Sequence, residues 1–361
     1  MTKTKELDKT DREPVRVGIS MGDMNGVSAE VIMKSLSDSR ILLDCVPIIY
    51  GSSKVFSVHK KMLNLNSFNY MSIKEASEAK KRKVNIINVD DTELEIKKGE
   101  PTKESGVLSF ASLDAATKDL AAGMVDVLVT APISKEAMGK TDFKFPGHTE
   151  YLADLSGLDE ALMVMVSPKM RVALVTSHIA LKNVATSLSV EKIVEKLRVF
   201  NKSLKKDFGI QRPKIAVFGV NPHAGENGKM GDEEREIISP AIQRASGDGV
   251  LAFGPYPADG FFGSGAMNKF DGILAMYHDQ GLAAFKALAF DEGVNFTAGL
   301  PIIRTSPDHG TAYDIVGEGI ASESSMRSAI YLAIDVYRRQ QLDKEVMADP
   351  LEISEKKTRR E

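Results

Sequence analysis

The sequence predicts an α/β fold in which a mostly parallel sheet lies between two layers of helices. Strand-like and helix-like segments alternate along the 361 residues. Most strand-like segments are continuous apolar runs, which are typical of strands covered on both faces. The chain is long enough for one large unit or for two lobes, and its sequence contains no internal repeat and no low-complexity linker.

The first part of the chain alternates between short apolar runs and helical segments. Val15–Ser20 is apolar enough for a first strand, and the Gly-rich turn after it leads into a helix with apolar Val27 and Val31. The next elements are a strand at 46–50, a helix at 54–63, a strand at 84–89, a helix rich in small residues at 105–124 and a strand at 125–130. Residues 64–104 are polar and rich in Lys and Glu, which predicts a surface excursion around its single strand.

The second part of the chain continues this alternation up to a terminal helix. The turn KFPG leads into a helix that His148 opens, and apolar runs at Leu162–Val166 and 172–176 surround Pro168. The remaining elements are an amphipathic helix at 190–208, a strand at 214–220, the loop NPHAGENGKMG, a helix at 232–245, strands at 250–253 and 273–277, a helical start at 311–316 and a closing helix at 324–342. The charged ends, residues 1–13 and 346–361, are predicted to be tails.

Composition and charge argue against several classes of function. The 47 basic and 50 acidic residues give a net charge of -3, whereas nucleic-acid-binding domains usually have a basic excess. The basic cluster at 80–83 is interpreted as a solvated helix face. Cys45 is the sole cysteine, which excludes an internal disulfide framework and favours a reducing compartment. Since no signal peptide and no apolar run near the ~20 residues of a membrane helix is found, we expect a soluble cytoplasmic protein without nucleic-acid or membrane partners.

Histidines follow several of the predicted strands. His178, His223 and His278 each come after an apolar run, and ligands in open α/β sheets bind beyond the carboxyl ends of strands. A single histidine is more often packed or exposed than bound to a ligand, but three at equivalent positions indicate a metal site. Neutral imidazoles suit zinc, cobalt, nickel or iron, and three protein ligands leave coordination positions open for a substrate. His59 lies on a helix that is predicted to be exposed, and this histidine is interpreted as structural.

The stretch from Leu274 to Thr311 concentrates residues that suit an anionic ligand. Lys286 and Arg304 match carboxylate or phosphate groups, although both are also consistent with surface salt bridges. The sequence has neither the G-x-G-x-x-G dinucleotide fingerprint nor a P-loop, so any nicotinamide cofactor must bind in another way. We predict that this stretch supplies half of an active site for a small phosphorylated substrate.

Seven blocks of the sequence carry a family resemblance. They are MGDMNGVSAE, FPGHTEYLA, TSHIALKNV, GVNPHAGENGKMG, GPYPAD, AMYHDQG and GVNFTAGLPIIRTSPDHGTAYDIVG. In this order they resemble the 4-hydroxythreonine-4-phosphate dehydrogenase family of pyridoxal phosphate biosynthesis, over about Val15 to Val336. In the first turn, Met24 and Ser28-Ala29 depart from the Pro and Gly-Pro that are usual in this family.

The resemblance implies an isocitrate and isopropylmalate dehydrogenase-like fold. This fold is a three-layer α/β/α architecture with two lobes around a central cleft, and it lacks the Rossmann fingerprint. We expect lobe 1, on the cofactor side, at residues 14–140 and 290–345. Lobe 2, with the metal ligands and the dimer contacts, is expected at 141–289.

The resemblance also implies roles for individual residues. The metal ligands would be His178, His223 and His278, with His278 supplied by the neighbouring subunit of a homodimer that shares its active sites. The substrate would be bound by His148, Thr149, Lys286, Asn295 and Arg304. The cofactor would be bound by His309, Gly310 and Asp314, because HGTAYDIVG is similar to the adenosine-binding turn of isopropylmalate dehydrogenases. Asp314 would either select NAD over NADP by bonding the ribose hydroxyls or merely cap the local structure.

The implied activity is the NAD-dependent oxidation of 4-phosphohydroxy-L-threonine to a β-keto acid, which loses carbon dioxide to give 3-amino-2-oxopropyl phosphate for pyridoxine 5′-phosphate. Zinc is the expected metal, with cobalt or magnesium as alternatives, and magnesium prefers oxygen ligands. Asp279 and Lys286 are the predicted catalytic residues, and Asp259 is a weaker candidate. The alternatives are a paralogous D-threonate or D-erythronate 4-phosphate dehydrogenase, a metal-dependent aldolase or hydrolase of phosphosugars, and a non-catalytic phosphosugar-binding protein.

Overall fold

The computed structural model describes residues 13–90, 95–158 and 161–348. Of the two predicted tails, residues 1–12 and 349–361 lie outside the described residues, whereas 346–348 belong to the last helix. Within the described ranges, no helix has both the length and the apolar character that crossing a membrane requires.

The described ranges contain twelve strands and eleven α-helices. The strands are β1 (Val15–Ser20), β2 (Cys45–Gly51), β3 (Tyr70–Ile73), β4 (Val84–Asn88), β5 (Val127–Thr130), β6 (Leu162–Val166), β7 (Arg171–Leu174), β8 (Lys214–Phe218), β9 (Leu251–Tyr256), β10 (Gly272–Ala275), β11 (Val294–Ala298) and β12 (Arg304–Pro307). The helices are α1 (Ser28–Leu36), α2 (Ile41–Asp44), α3 (Ser53–Met62), α4 (Lys103–Ala121), α5 (Lys135–Gly139), α6 (His148–Leu155), α7 (Val190–Lys206), α8 (Ser239–Gly247), α9 (Ala258–Gly263), α10 (His278–Ala289) and α11 (Ser324–Ala348). All nine predicted strands are present among them, with ends that differ by a few residues.

The described strands form one sheet in the order β3-β4-β2-β1-β5-β12-β11-β6-β7-β10-β8-β9. Eight neighbouring pairs are parallel, which confirms the predicted mostly parallel sheet. The three antiparallel pairs, β12–β11, β11–β6 and β6–β7, lie together in the middle. The strands on the two sides of this middle region therefore run in opposite directions.

Helices cover both faces of the sheet. On one face, a single apolar core joins β1 and β8 to α1, α7, α8 and α11. On the other face, one core joins β2 to α4, and another joins β7 and β10 to α9 and α10. Within β2, Ile49 belongs to the first face and Ile48 and Tyr50 to the second, because successive strand residues point to opposite faces. The predicted three-layer α/β/α architecture is confirmed.

Two local predictions about the first part of the chain are wrong. The described residues of 64–104 contain two strands and not one, because β3 and β4 pair with each other and form one edge of the sheet. The basic cluster at 80–83 is exposed, but it lies in the turn before β4 and not on a helix.

Several elements around the centre of the molecule were not predicted. They are α5, α9, α10, β11 and β12. In place of a helical start at 311–316 there is a single 3-10 turn at Tyr313–Ile315. The division into lobes at 14–140 with 290–345 and at 141–289 stays a prediction, since the sheet continues from one to the other through the β11–β6 pair.

Candidate active site

A cavity of about 310 Å³ lies over the middle strands of the sheet, where the strand direction reverses. Alternate residues of two central strands point into it, Met163 and Met165 from β6 and Arg304 and Ser306 from β12. The predicted site residues that line it are His148, Thr149, His178, His278, Lys286, Asn295, Arg304, His309 and Gly310. The fold thus gathers most of the predicted site residues in one place.

Arg304 is a deeply buried cation in this cavity, with only 2% of its surface exposed. Its Nε and Nη2 donate to Thr130 Oγ1 at 3.1 and 2.6 Å, and its Nη1 donates to Thr297 Oγ1 at 3.1 Å. Both acceptors are neutral, and no carboxylate of the described residues forms an ion pair with this guanidinium. Burial lowers the pKa of Arg304 to about 10, with Glu150 opposing the shift. Because a buried charge without a counter-ion is costly, the arrangement suits the binding of an anion.

His148 and Asn295 present buried polar atoms to the same cavity. Nε2 of His148 and Oδ1 of Asn295 have no hydrogen-bond partner in the described structure. Burial, with a contribution from Arg304, holds the pKa of His148 well below 6.5, so its imidazole is neutral. His148 and Thr149 also open α6 after Gly147, and backbone N–H groups at a helix N-terminus favour anions. Buried polar atoms rarely lack partners, and a bound ligand would satisfy these two.

Helix α10 brings an imidazole and a cation to the cavity, since it begins at His278 and carries Lys286 two turns later. The helix lies very close to the sheet because residue 281 is a glycine. A Cβ at Gly281 would lie 2.9 Å from Cγ1 of Val172. Nζ of Lys286 lies 3.4 Å from Oδ1 of Asp308, whose side chain is 10% exposed.

His178 and His278 form an imidazole pair at one side of the cavity, with ring centroids 5.8 Å apart. Burial lowers the pKa of His178, and the nearby Lys135 adds to this effect. Nδ1 of His278 lies 2.7 Å from Oδ1 of Asp279, a contact that can orient the ring. Two imidazoles at this separation are a donor set that fits a divalent metal of the zinc type.

His223 stands apart from this pair. It follows β8, which neighbours β10 in the sheet, but it is exposed and does not line the cavity. Among the residues that the structure describes, no three His, Cys, Asp or Glu side chains gather closely enough to hold a metal. His178 and His278 lie together in one chain. The expectation that His278 comes from a neighbouring subunit stays a prediction.

The loop that carries His223 has a left-handed backbone conformation, and a buried carboxylate accepts hydrogen bonds from the start of the loop. From His223 to Asn227 the φ angles lie between 41° and 80°, the left-handed region that non-glycine residues rarely adopt. Glu234, 5% exposed, accepts hydrogen bonds from the backbone N–H groups of Val220 and Asn221 at 2.7 and 2.8 Å. It also accepts from Nδ2 of Asn221 at 2.9 Å, so it fixes the start of the loop.

A second cavity of about 360 Å³ adjoins the first and is mainly apolar. Its apolar lining consists of Val27, Val31, Phe290, Ala312, Ile315 and Ala321. Four residues line both cavities: Lys286, Asp308, His309 and Gly310. An apolar cavity next to a polar one suits a cofactor ring that must lie against a substrate.

The predicted cofactor residues are placed differently from one another. His309 and Gly310 line both cavities, and Nε2 of His309 is buried without a partner. Asp314 is exposed and lines neither cavity, although it lies on the 3-10 turn between two lining residues, Ala312 and Ile315.

The first turn of the chain contacts the turn that carries the predicted cofactor residues. Asp23 is fully buried and accepts a hydrogen bond from the hydroxyl of Tyr313 at 2.8 Å. Burial raises the pKa of Asp23. Met24 and Ser28, which depart from the family pattern, are also buried, and Ser28 Oγ donates to the carbonyl of Pro132 at 2.9 Å. Neither of these two residues lines a cavity, so the departures do not change the lining.

Several other residues from the sequence reasoning lie outside both cavities. Asp279 is 86% exposed, and Asp259 is exposed as well. The Cys45 thiol is buried, and burial raises its pKa to about 12, which is unsuited to thiolate chemistry. The interpretation of His59 as structural agrees with its contacts, but its predicted exposure is wrong. Its ring is buried, with Nε2 2.8 Å from the carbonyl of Met24.

The sequence reasoning missed three charged residues that line the first, polar cavity, namely Lys135, Glu150 and Asp308. Glu150 directly follows the predicted pair His148-Thr149, and Asp308 directly precedes His309. This adjacency was the only signal available for them. Lys135, at the start of α5, has no distinguishing signal in the sequence.

Comparisons with known proteins agree on one family. The sequence profile of the family described as "Pyridoxal phosphate biosynthetic protein PdxA" matches residues 43–333. The chain is 49% identical to a 4-hydroxythreonine-4-phosphate dehydrogenase of Bacteroides thetaiotaomicron over 94% of both chains. It is 40% identical to a protein of Oceanobacillus iheyensis with the provisional name D-threonate 4-phosphate dehydrogenase, over 90% of this chain and 98% of the relative. The crystal structure of a Klebsiella pneumoniae 4-hydroxythreonine-4-phosphate dehydrogenase superposes with a TM-score of 0.77 at 36% identity, covering 91% of this chain and 99% of that one.

Proposed function

The chain belongs to the PdxA family of pyridoxal phosphate biosynthetic proteins, a family of dehydrogenases, and on that premise we propose that it oxidises 4-phosphohydroxy-L-threonine with NAD. Oxidation of the secondary hydroxyl gives a β-keto acid. Loss of carbon dioxide then gives 3-amino-2-oxopropyl phosphate, which is used to make pyridoxine 5′-phosphate. The observation that carries this proposal is the buried Arg304 guanidinium, which has no carboxylate partner among the described residues and lines a polar cavity.

The substrate's anionic groups are bound by the cations of this cavity. Arg304 supplies a planar fork with a full charge, and the neutral His148 and Asn295 contribute hydrogen-bonding atoms near it. Lys286 adds a point charge at the side that faces the apolar cavity. Two separate cationic positions suit a substrate that carries both a phosphate and a carboxylate.

A divalent metal would be held by His178 and His278 of one subunit and by His223 of the partner subunit, so the working unit is a homodimer. When bound, the metal supplies a Lewis acid that makes the substrate's hydroxyl easier to deprotonate. Zinc fits three imidazoles best, cobalt fits them as well, and magnesium prefers oxygen ligands. Asp279 keeps the His278 ring oriented through its contact with Nδ1.

The nicotinamide cofactor would occupy the apolar cavity, with His309 and Gly310 at the boundary to the substrate. When bound, the cofactor supplies the hydride acceptor. Asp314, exposed on the adjoining turn, would repel a 2′-phosphate, so NAD is the preferred cofactor and NADP the alternative. The reducing compartment inferred from the lone Cys45 makes the cytoplasm the proposed location.

The alternative function is the oxidation of D-threonate or D-erythronate 4-phosphate. The relative from Oceanobacillus iheyensis, which has a provisional name of this kind, favours it. Both substrates carry a phosphate and a carboxylate, and they differ in whether an amino group or a hydroxyl is attached to the second carbon. The cationic residues of the cavity do not distinguish these two groups.

The deciding experiment measures NADH formation from 4-phosphohydroxy-L-threonine and from D-threonate 4-phosphate side by side, with zinc present. We expect the amino substrate to give a kcat/KM at least about tenfold higher, a difference of about 1.4 kcal/mol in transition-state binding. A preference for threonate phosphate would establish the alternative, and no NADH from either would contradict both. A parallel series with NADP tests the proposed role of Asp314, because equal turnover with the two cofactors would contradict it.

A further inference from the structure

The boundary between the two cavities contains one carboxylate. Of the four residues that line both cavities, Lys286 and His309 carry nitrogen groups, Gly310 has no side chain, and Asp308 alone is acidic. Hydride transfer requires the reacting carbon and the hydride acceptor to approach within about 3–3.5 Å. If the substrate occupies the polar cavity and the nicotinamide the apolar one, the reacting hydroxyl lies at this boundary.

Asp308 is held firmly in this position. It directly follows β12, and its backbone N–H donates to Ser325 Oγ at 3.0 Å. Ser325 Oγ in turn donates to the carbonyl of Gly293 at 2.6 Å. Gly293 leaves room for the carboxylate, because a Cβ there would lie 3.2 Å from Oδ2 of Asp308. On its other side, Oδ1 lies 3.4 Å from Nζ of Lys286.

The surroundings of Asp308 suit proton transfer. Burial raises the pKa of its carboxyl group, which brings the group closer to the working pH of a general base. The cationic or titratable groups that face it, Lys286, His309 and His278, act in the opposite direction and keep the pKa from rising further. The result is a carboxyl group that is largely shielded from solvent and lies beside a cation.

We propose that Asp308 is the general base of the reaction and that Lys286 is the cation that positions it, an assignment that rests on the proposed dehydrogenase function. The O–H bond of the substrate's secondary hydroxyl breaks, and its proton passes to a carboxylate oxygen of Asp308. The C–H bond at the same carbon breaks, and its electron pair leaves as a hydride to the oxidised nicotinamide. The carbinol becomes a ketone, and the nicotinamide is reduced.

Other groups near the boundary fit this role less well. The Lys286 ammonium has only donors and already lies beside Asp308, so it cannot accept a proton. Glu150 lines the polar cavity but not the apolar one. Asp279, which the sequence suggested as a catalytic residue, lines neither cavity, and its side chain is 86% exposed.

The test compares Asp308→Asn and Asp308→Glu with the wild type, using 4-phosphohydroxy-L-threonine and NAD. Removal of a general base should lower kcat of Asp308→Asn by about 10²–10⁴-fold. The KM for substrate and the Kd for NADH, measured by NADH fluorescence, should change less than about threefold, since the proposed loss lies in the transition state. Asp308→Glu keeps a carboxylate and should be at least about tenfold more active than Asp308→Asn.

Asp248→Asn is the matched control, because Asp248 is an exposed residue that pairs with Arg198 and lines neither cavity. Its kcat should equal that of the wild type. An Asp308→Asn enzyme with a kcat within about fivefold of the wild type would overturn the assignment, since a general base is worth far more than that. So would a loss confined to NADH or substrate affinity. Failure of the wild type to form NADH would overturn the proposed function and this role with it, whereas an active wild type with an equally active Asp308→Asn variant would overturn only the role of Asp308.

Discussion

At the scale of single residues, the polar cavity contains buried polar atoms that have no hydrogen-bond partner in the described structure. The guanidinium of Arg304 contacts two threonine hydroxyls and no carboxylate of the described chain, and His148 and Asn295 each leave a buried atom unpaired. Stability alone would not favour such groups, because each costs free energy in the absence of a partner. The sequence predicted these three residues as binding groups, but it could not show that they lack partners, since that depends on tertiary packing.

The substitution Arg304→Met tests whether this cation is kept for binding. We expect the ligand-free variant to be at least as stable as the wild type, because an apolar side chain of similar length replaces an uncompensated buried charge. Inorganic phosphate should raise the Tm of the wild type and leave that of the variant unchanged. The KM for the phosphorylated substrate should rise by about 100-fold, equivalent to about 2.7 kcal/mol.

The control for this substitution is Arg198→Met, at an exposed arginine that pairs with Asp248. It should keep the phosphate response and the KM of the wild type. An Arg304→Met variant that still responds to phosphate would show that the anion binds elsewhere.

His148 makes the stability of the ligand-free protein depend on pH. Its folded-state pKa lies well below 6.5, so below pH 6.5 the unfolded chain binds a proton that the folded protein does not. Stability is therefore lost as the pH falls through 6.5, by about 1.4 kcal/mol between pH 7.5 and 5.5 for this one group. The metal-free His148→Asn variant should lose less stability than the metal-free wild type over this interval, by about that amount, in urea unfolding. Equal losses in the two proteins would contradict the neutral state of the buried ring.

At the scale of secondary structure, the strands that the sequence predicted and those that it missed differ in their side chains. β2 and β8 are continuous apolar runs, and each was predicted close to its true position. β11 and β12 were missed because they are short and carry Asn295, Thr297, Arg304 and Ser306, a composition typical of loops. These polar residues line the cavity or contact Arg304. Because the cavity needs polar side chains here, the two strands lack the apolar pattern by which a strand is predicted. β3 was missed for a different reason, because it is a half-exposed strand at the edge of the sheet.

The loop after β8 shows how one element is kept in a strained conformation. Its left-handed residues are unfavourable for side chains with a Cβ, and Glu234 offsets this cost with three hydrogen bonds at the start of the loop. A Cβ at Gly219 or Gly225 would lie 2.8 or 2.6 Å from the oxygens of Glu234, so the carboxylate fits tightly against both glycines. The sequence motif NPHAGENGKMG predicted only a loop, since the partner lies further along the chain.

Substitution of Glu234 by Ala should release this loop. Two backbone N–H groups would lose their acceptor, and we expect a loss of about 3 kcal/mol in the free energy of unfolding. The variant should also bind zinc more weakly, because His223 would no longer be held in one position. Isothermal titration with zinc and urea unfolding measure the two effects.

Glu236→Ala provides the comparison, since Glu236 is an exposed residue of the same π-helical turn. It should leave the affinity for zinc and the stability unchanged. If Glu234→Ala bound zinc with the affinity of the wild type, the conformation of this loop would not contribute to zinc binding.

At the scale of the whole molecule, the sheet is built from two parallel halves that meet in antiparallel pairs. The sequence predicted the parallel halves from their apolar runs, but not the reversal between them, because strand direction is set by long-range pairing. The polar cavity lies over this reversal, and His148, Arg304, His178 and His278 all line it. The sequence therefore predicted most of the residues that line the cavity, but not the strand directions that bring them together.

The same limitation applies to the assembly of the metal site. The three histidines follow three neighbouring strands, yet only His178 and His278 lie together in one chain. If the site is completed by His223 of the partner subunit, each dimer has two sites, and each site uses a pair from one chain and a single ring from the other. This arrangement differs from one in which His278 crosses between subunits, and the two can be distinguished by mixing inactive variants.

A metal site shared between subunits is tested by NADH formation from 4-phosphohydroxy-L-threonine by mixed dimers. A dimer of His178→Ala and His223→Ala subunits places both defects in one site and leaves the other intact, so activity should recover to about half of the wild type per dimer. A dimer of His178→Ala and His278→Ala subunits damages both sites and should stay inactive. Recovery only in the second mixture would mean that His278 crosses between subunits, and no recovery in either, with mixed dimers verified by mass, would contradict a shared metal site.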